Sequence, residues 1–203
     1  MFVLKKLKFK KRIKGVNILS PQNTFIEQGV EIGEGTVIYP NNYIKSGVKI
    51  GKNCILYPGN FLESGIIGNN CSIGNNAHFR QKVVVGNNVK IGNFCELKCC
   101  FVQDNCKISH LTYIGDAEIG QNCNLGCGVV FANFNGTIKQ KITIGNDCFI
   151  GCNSNLIAPL SIGNNCFIAG GSTITKDMQN NTFAISRTQQ NCKDNKFCKH
   201  KSS

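Results

Sequence analysis

Acidic residues are scarce in this chain. Eleven Asp and Glu stand against twenty-three Lys and Arg, for a formal net charge of +12. That balance favours an anionic partner: nucleic acid, a lipid surface or a phosphorylated small molecule. Apolar runs are short, and none is long enough to span a bilayer, which excludes a transmembrane helix read from hydropathy. The N-terminus, MFVLKKLKFKKRIKG, does not place its charges ahead of a longer apolar core as a secretory signal does. The expectation is a cytoplasmic protein. Histidine is rarer still. Of three in the chain, only His78 and His110 fall within the repeat described next, short of the three imidazoles of a zinc hydratase centre.

What is present is a repeat. Aliphatic residues recur every six positions at Ile26, Ile32, Ile38, Ile44, Ile50, Leu56 and Leu62. One residue is dropped, and the register resumes at Ile67, Ile73, Phe79, Val85, Ile91 and Leu97. It slips at Val102, Ile108, Ile114, Ile119, Leu125 and Phe131, then returns from Ile144 through Ile150, Leu156, Ile162 and Ile168 to Ile174. A period of six fits no α-helix, whose apolar positions recur near 3.6. It fits short strands joined by tight turns, where Gly and Asn tolerate positive φ. Hexads of this kind build parallel β-helices, with three to a triangular coil.

Thirteen cysteines first suggest disulfides or metal. Seven of them, Cys54, Cys71, Cys95, Cys106, Cys123, Cys148 and Cys166, lie four residues after an aliphatic anchor. Elsewhere that slot holds Val30, Thr36, Val48, Ala77, Val89, Ser154 and Ser172. A free thiol behaves as a small apolar group, so these seven read as core filler in a reducing compartment. Cys99, Cys100, Cys127 and Cys152 are off the slot. Cys192, Cys198 and His200 lie in the tail at a spacing that matches no zinc pattern, so no metal is expected.

Three segments follow. Residues 1–15 form a short basic arm, with seven of the ten residues from Lys5 to Lys14 basic. It reads as a solvated leader, against a membrane-surface or RNA contact; no nucleic acid is expected. Residues 16–178 are the β-helix, interrupted at 132–143 by a segment that lacks the hexad pattern and protrudes from the wall. Residues 179–203 are an irregular C-terminal tail.

The chemistry concentrates between Ser109 and Gly136, where Tyr113, Asp116, Glu118, Asn124 and Asn133 surround His110. An imidazole with an ordinary pKa of about 6.5 suits proton abstraction at neutral pH. Glu96, one coil away, is placed to orient the ring as a triad carboxylate does. Arg80 and Lys98 each follow an anchor and lie one coil apart, so they stack on one face, and Lys139 in the protruding segment can close over it. The alternatives are three ordinary surface cations or a phosphate site.

SHLTYIGDAEIG, NLGCGVVFANFNG, CNSNLIAP and AISR, in this order and spacing, resemble the C-terminal acetyltransferase half of the bifunctional GlmU family, from about residue 14 to Gln189. The resemblance implies a left-handed β-helix, a homotrimer and active sites between subunits. It implies acetyl transfer from acetyl-CoA to glucosamine 1-phosphate, on the route to UDP-N-acetylglucosamine and cell-wall precursors. It makes His110 the proton acceptor. Arg80, Lys98, Tyr113, Asn124 and Lys139 would bind the phosphosugar, and Cys127, Asn133, Phe134, Cys152, Gly170 and Arg187 the acetyl-CoA. Cys127, Cys152 and Gly170 stand where the family has small residues, Phe134 where it has Tyr, and Asn135 where it has Asp. The nucleotidyltransferase half, with its Gly-rich, Arg-containing loop and its magnesium, has no counterpart in these residues, so the expectation is either a stand-alone acetyltransferase, with a separate uridyltransferase as a possible partner, or a part of a longer bifunctional protein. Two alternatives remain: a non-catalytic trimeric scaffold, and an acetyltransferase for another amino sugar.

Overall fold

The hexads fold mostly into two- and three-residue parallel strands with one inward anchor each, and the chain winds as a left-handed parallel β-helix of about nine turns. The computed structural model describes residues 13–192. Most of the basic arm, and the tail with Cys198 and His200, therefore lie outside the described residues.

Three faces make each coil. The first is a ten-strand stack from Asn17–Ile18 through Lys107–His110 and Asn124–Leu125 to Phe183–Ala184. Pairing thus continues past residue 178, since Phe183 and Ala184 register with Phe167 and Ile168. The second face runs from Phe25–Ile26 past His78–Phe79 to Thr173–Ile174. The third holds the strands from Glu31–Ile32 to Leu160–Ile162. Strands Glu96–Val102 and Tyr113–Ile119 run through the corner between faces two and three and fuse them into one sheet. There the turn is reduced to one left-handed residue, Cys99 (φ 48°) or Asp116 (φ 51°). That shortening is the sequence slip at Val102 and Ile119.

The anchors fill the interior. All are buried except Ile32, which packs against the core from its edge. The residue four positions on is also inward, and the seven cysteines in that slot are buried and unpaired. Six of them share one corner, and each of these donates its thiol to a carbonyl one coil on, as Cys106 does to Gly120 at 3.0 Å and Cys123 to Gly145 at 3.0 Å. The thiol thus fills core volume and also satisfies a backbone acceptor. The same slot holds Asn42 and Asn60, also fully buried. Asn60 donates to Asn42 Oδ1 at 2.9 Å and to the Tyr57 carbonyl at 2.6 Å, and its own Oδ1 accepts from Ala77 N–H at 2.9 Å.

The segment after Phe131 leaves the wall as a small hairpin. Phe134 and Lys139 pair antiparallel, and Gln140 N–H returns to the Asn133 carbonyl at 2.7 Å. Asn135 Oδ1 caps its tip, accepting from the N–H groups of Thr137 and Ile138 at 3.0 and 2.9 Å. An amide oxygen does this as well as a carboxylate would, so the turn keeps its shape without the charge. Among the described residues no helix is long and apolar enough to cross a membrane.

Candidate active site

His110 ends the strand Lys107–His110, at the corner where face one turns into face two. It is exposed. Its carbonyl accepts from Thr112 Oγ1 at 2.8 Å and from Gly128 N–H at 3.3 Å. The second contact repeats on every nearby coil. Leu111 N–H reaches the Asn93 carbonyl, Asn153 N–H that of Cys127, and Gly171 N–H that of Cys152, at 2.9, 2.7 and 2.7 Å. His110, Cys127, Cys152 and Gly170 are therefore one column of equivalent turn residues on four consecutive coils. Arg187 completes the column by donating to the Gly170 carbonyl at 3.0 Å. Four of the six residues expected at the acetyl donor thus line up behind the expected base.

At several other turns, nearly all of them in the next corner, the backbone N–H is capped by an Asn or Asp side chain from the next coil. Asn93 Oδ1 accepts from Asn75 N–H at 3.2 Å in the same corner, and Asn146 Oδ1 from Gln121 N–H at 2.8 Å in the next corner. The residue stacked on Cys127 is Cys152, which has no such oxygen. Among the described residues none accepts a hydrogen bond from the Cys127 N–H.

The cations sit on face two. Arg80 N–H bonds the Leu97 carbonyl at 2.8 Å, and Lys98 registers with Gly115, so Arg80, Lys98 and Gly115 stack on successive coils. Lys98 is buried, 9% exposed. Its ammonium lies beside that of Lys139, and this like charge, followed by burial, pushes the Lys98 pKa down, with Asp116 opposing. The hairpin therefore does bring Lys139 over this face. Tyr113 lies one residue before the anchor Ile114, registered with Glu96 on the coil before it. A Cβ on Gly115 would meet the Tyr113 hydroxyl at 2.5 Å and Asn133 Nδ2 at 2.6 Å, so only glycine leaves that hydroxyl its place. Asn124 is on face one, between Lys107 and Phe149. The expected sugar set thus straddles the His110 corner. His110 is five residues from Gly115 along the chain, at most about 18 Å even when extended.

Two expected roles come out differently. Glu96 holds Arg80 at 3.0 Å, both side chains about 40% exposed, and this carboxylate raises the arginine pKa further. Among the described residues of one chain it makes no bond to His110. The reason is the register: the neighbours of Glu96 on face two are His78 and Tyr113, and His110 lies round the corner. Asn133 is buried, with its amide donated to the Asp116 carboxylate. It fastens the hairpin base to the wall, whereas Phe134 beside it is 57% exposed.

Sequence reasoning set Asp116 beside His110 without giving it a role, and passed over Phe94 and Leu111. Asp116 holds Asn133 and faces Lys98. Phe94 and Leu111 adopt φ 55° and 48° and are 57% and 59% exposed. Elsewhere in this corner the same turn position carries Asn or Gly, the residues that tolerate φ > 0. Large apolar residues held there, on the His110 coil and the one before it, are strained, and strain of this kind collects at functional sites. The signal was an apolar residue in a Gly/Asn slot. His78, the other repeat histidine, donates its Nε2–H to the Glu63 carboxylate at 2.6 Å and stacks on Phe61. A cleft of about 400 Å³ lies by the hairpin, lined by Lys82, Cys99, Phe101, Asp116, Glu118 and Lys141 among others. Of the expected site residues only Lys139 borders it. Among the described residues no three His, Cys, Asp or Glu side chains gather as a metal site would require.

With this geometry in place, comparisons with known proteins are informative. Residues 61–135 match the family model described as GMPPB C-terminal domain. Residues 29–63 and 141–176 match that of the bacterial transferase hexapeptide (six repeats). Over 97 residues the chain is 53% identical to the bifunctional protein GlmU of Clostridium botulinum (strain ATCC 19397 / Type A), covering 48% of this chain and 21% of that protein. The match to GlmU of Clostridium perfringens (strain SM101 / Type A) is 50% over 97 residues, with the same coverage of 48% and 21%. The matched stretch spans about a fifth of the length of these curated relatives. Among solved structures, the UDP-N-acetylglucosamine acyltransferase from Campylobacter jejuni superposes with a TM-score of 0.67 at 22% identity, over 82% of this chain and 68% of that one. The Francisella novicida UDP-N-acetylglucosamine acyltransferase gives a TM-score of 0.50 at 20% identity, over 83% and 66%. These two show the fold.

Proposed function

We propose that this chain, a hexapeptide-repeat β-helix similar to GlmU, is an acyltransferase that moves acetyl from acetyl-CoA to the amine of glucosamine 1-phosphate. One observation carries the reading. A single corner holds an exposed imidazole in a column that includes an uncapped backbone N–H, and the adjoining face holds two neighbouring lysines of like charge beside the Asp116 carboxylate.

Each part has a use. The Lys98 and Lys139 ammonium groups repel until a phosphate neutralises them, so the cost of bringing them together is recovered when the phosphosugar binds. Arg80 adds a guanidinium one coil away, and Tyr113 and Asn124 orient the sugar from either side of the corner. The amine attacks the thioester carbonyl, and His110 accepts the proton it sheds. The Cys127 N–H stabilises the oxyanion, because no side chain competes for it. The CoA thiolate leaves along the column toward Cys152, Gly170 and Arg187. Transfer is direct, and no acyl-enzyme is required.

The same reading makes the protein a cytoplasmic homotrimer whose sites lie between subunits. Its product would pass to a uridyl-transferring enzyme. The test is an end-point assay for N-acetylated sugar phosphate, with acetyl-CoA and a panel of amino sugars with and without the 1-phosphate. Product from glucosamine 1-phosphate alone supports the full reading. Product from another amino sugar moves the specificity. No product with any acceptor removes the enzyme reading in favour of the scaffold.

A further inference from the structure

The acetyl-donor column contains a chemical feature that direct transfer does not use. Cys127 and Cys152 occupy equivalent turn positions on consecutive coils, although 25 residues of sequence separate them, because the hairpin at 132–143 lies between. The Asn153 N–H to Cys127 carbonyl bond of 2.7 Å fixes this stacking. Consecutive coils are spaced like neighbouring strands, at about 4.8 Å. That lies inside the Cα window of about 4.4–6.8 Å in which two cysteines can be bridged. The Cys152 side chain lies against the coil that carries Cys127: a Cβ on Gly126, the residue before Cys127, would sit 2.9 Å from Cys152 Sγ. The two thiols are also accessible, Cys152 being exposed and Cys127 half-buried.

The contrast within this chain is sharp. The thiols stacked in the core, such as Cys106, Cys123, Cys148 and Cys166, are buried and donate to carbonyls on the next coil. A soluble oxidant must open the helix to reach them. At the corner it need only approach from solvent, and an imidazole stands one coil before Cys127.

We propose that Cys127 and Cys152 are an oxidisable thiol pair, which a peroxide joins into a disulfide spanning two consecutive coils at the donor corner. The Cys127 thiolate attacks one peroxide oxygen, giving the sulfenic acid and releasing the other oxygen as water once protonated. The Cys152 sulfur then displaces the sulfenic hydroxyl, which leaves as a second water. Two thiols and one hydrogen peroxide become one disulfide and two waters, and a thiol reductant reverses the change. The disulfide rests only on the stacking. Its consequence, that the bridge blocks the column and stops acetyl transfer, rests on the function proposed above.

The test uses the full chain, treated with a small molar excess of hydrogen peroxide, alkylated and digested without reduction. Trypsin leaves Cys127 on the peptide from Ile108 to Lys139 and Cys152 on that from Ile142 to Lys176, so a bridge appears as their cross-linked pair. Fragmentation must distinguish it from one between Cys123 and Cys148, which lie on the same two peptides. The expected result is a Cys127–Cys152 bond, removed by dithiothreitol. In Cys152→Ser the cross-link is absent, and dimedone labels Cys127 as the sulfenic acid. Both thiols alkylated after peroxide, a bond between core cysteines, or a bond between chains would each overturn the pairing. Acetyl transfer in reduced but not oxidised protein supports the block, and equal transfer in both overturns it. A disulfide formed in a protein that transfers nothing when reduced leaves the pair standing and sinks the proposed function alone.

Discussion

At the scale of single residues, the two side chains that matter most make opposite demands. His110 is exposed and makes only backbone contacts, so its imidazole contributes little to folding. His110→Ala is expected to lower turnover by about 100-fold or more while the melting temperature and circular dichroism stay as they were. Turnover near wild type would remove the ring from the mechanism. Lys98 is the reverse case, an ammonium held against its own kind. Its folded pKa is depressed by Lys139 and by burial, so between the folded and the ordinary lysine value the unfolded chain binds more protons, and stability rises with pH across that window. Below that window the repulsion is fully present. Lys98→Met should therefore melt higher than wild type at pH 7, with the gain shrinking as pH rises through the lowered Lys98 pKa. Inorganic phosphate should raise the melting temperature of wild type and leave Lys98→Met almost unmoved. An equal phosphate shift in both proteins would show that the anion binds elsewhere.

At the scale of the element, one corner slot does several jobs with different chemistry. Hexad patterning identified it as inward, and burial agrees for every residue assigned to it. Its polar members were legible only in part. Thr36, Ser154 and Ser172 were recognised as small inward residues, but Asn42 and Asn60 were not, since an isolated Asn in sequence reads as a turn. Only the winding shows that they stack and that each satisfies the next coil. Asn42→Leu leaves the Asn60 amide and N–H short of an acceptor and the Tyr39 and Tyr57 carbonyls short of a donor. It is expected to cost about 1–3 kcal/mol, read as a lower urea midpoint with an unchanged slope. No shift in midpoint would mean that the ladder is a consequence of the fold and adds nothing to it. The thiols stacked in the other inward corner behave as expected core filler, and each of these also satisfies a carbonyl, a second role that their positions alone did not reveal.

At the scale of the whole molecule, a β-helix presents flat faces with few side chains to cover them. Face one carries a strip of stacked phenylalanines, Phe149, Phe167 and Phe183, with centroids 4.7 and 5.8 Å apart and all three exposed. Apolar surface of this kind favours association. The proposed site is also shallow within one chain, since its cations lie on face two, Asn124 on face one and His110 on the edge between. Sedimentation of the native protein should give three chain masses across the micromolar range. A monomer that turns over at full rate would mean that one chain's corner suffices.

The sequence by itself determined the three-sided winding, the inward anchors, the fate of the core cysteines and the point where a hairpin leaves the wall. Each of these is a local matter, decided within one hexad by side-chain size and by which residues tolerate a left-handed turn. What meets across coils was decided by the tertiary structure. Around the site, coil lengths of 17, 18 and 25 residues set the stacking, and a change of one residue in any of them would rotate the partners. That is why Glu96 holds Arg80 and not His110, why Lys98 lies under Lys139, and why Cys127 is stacked on Cys152.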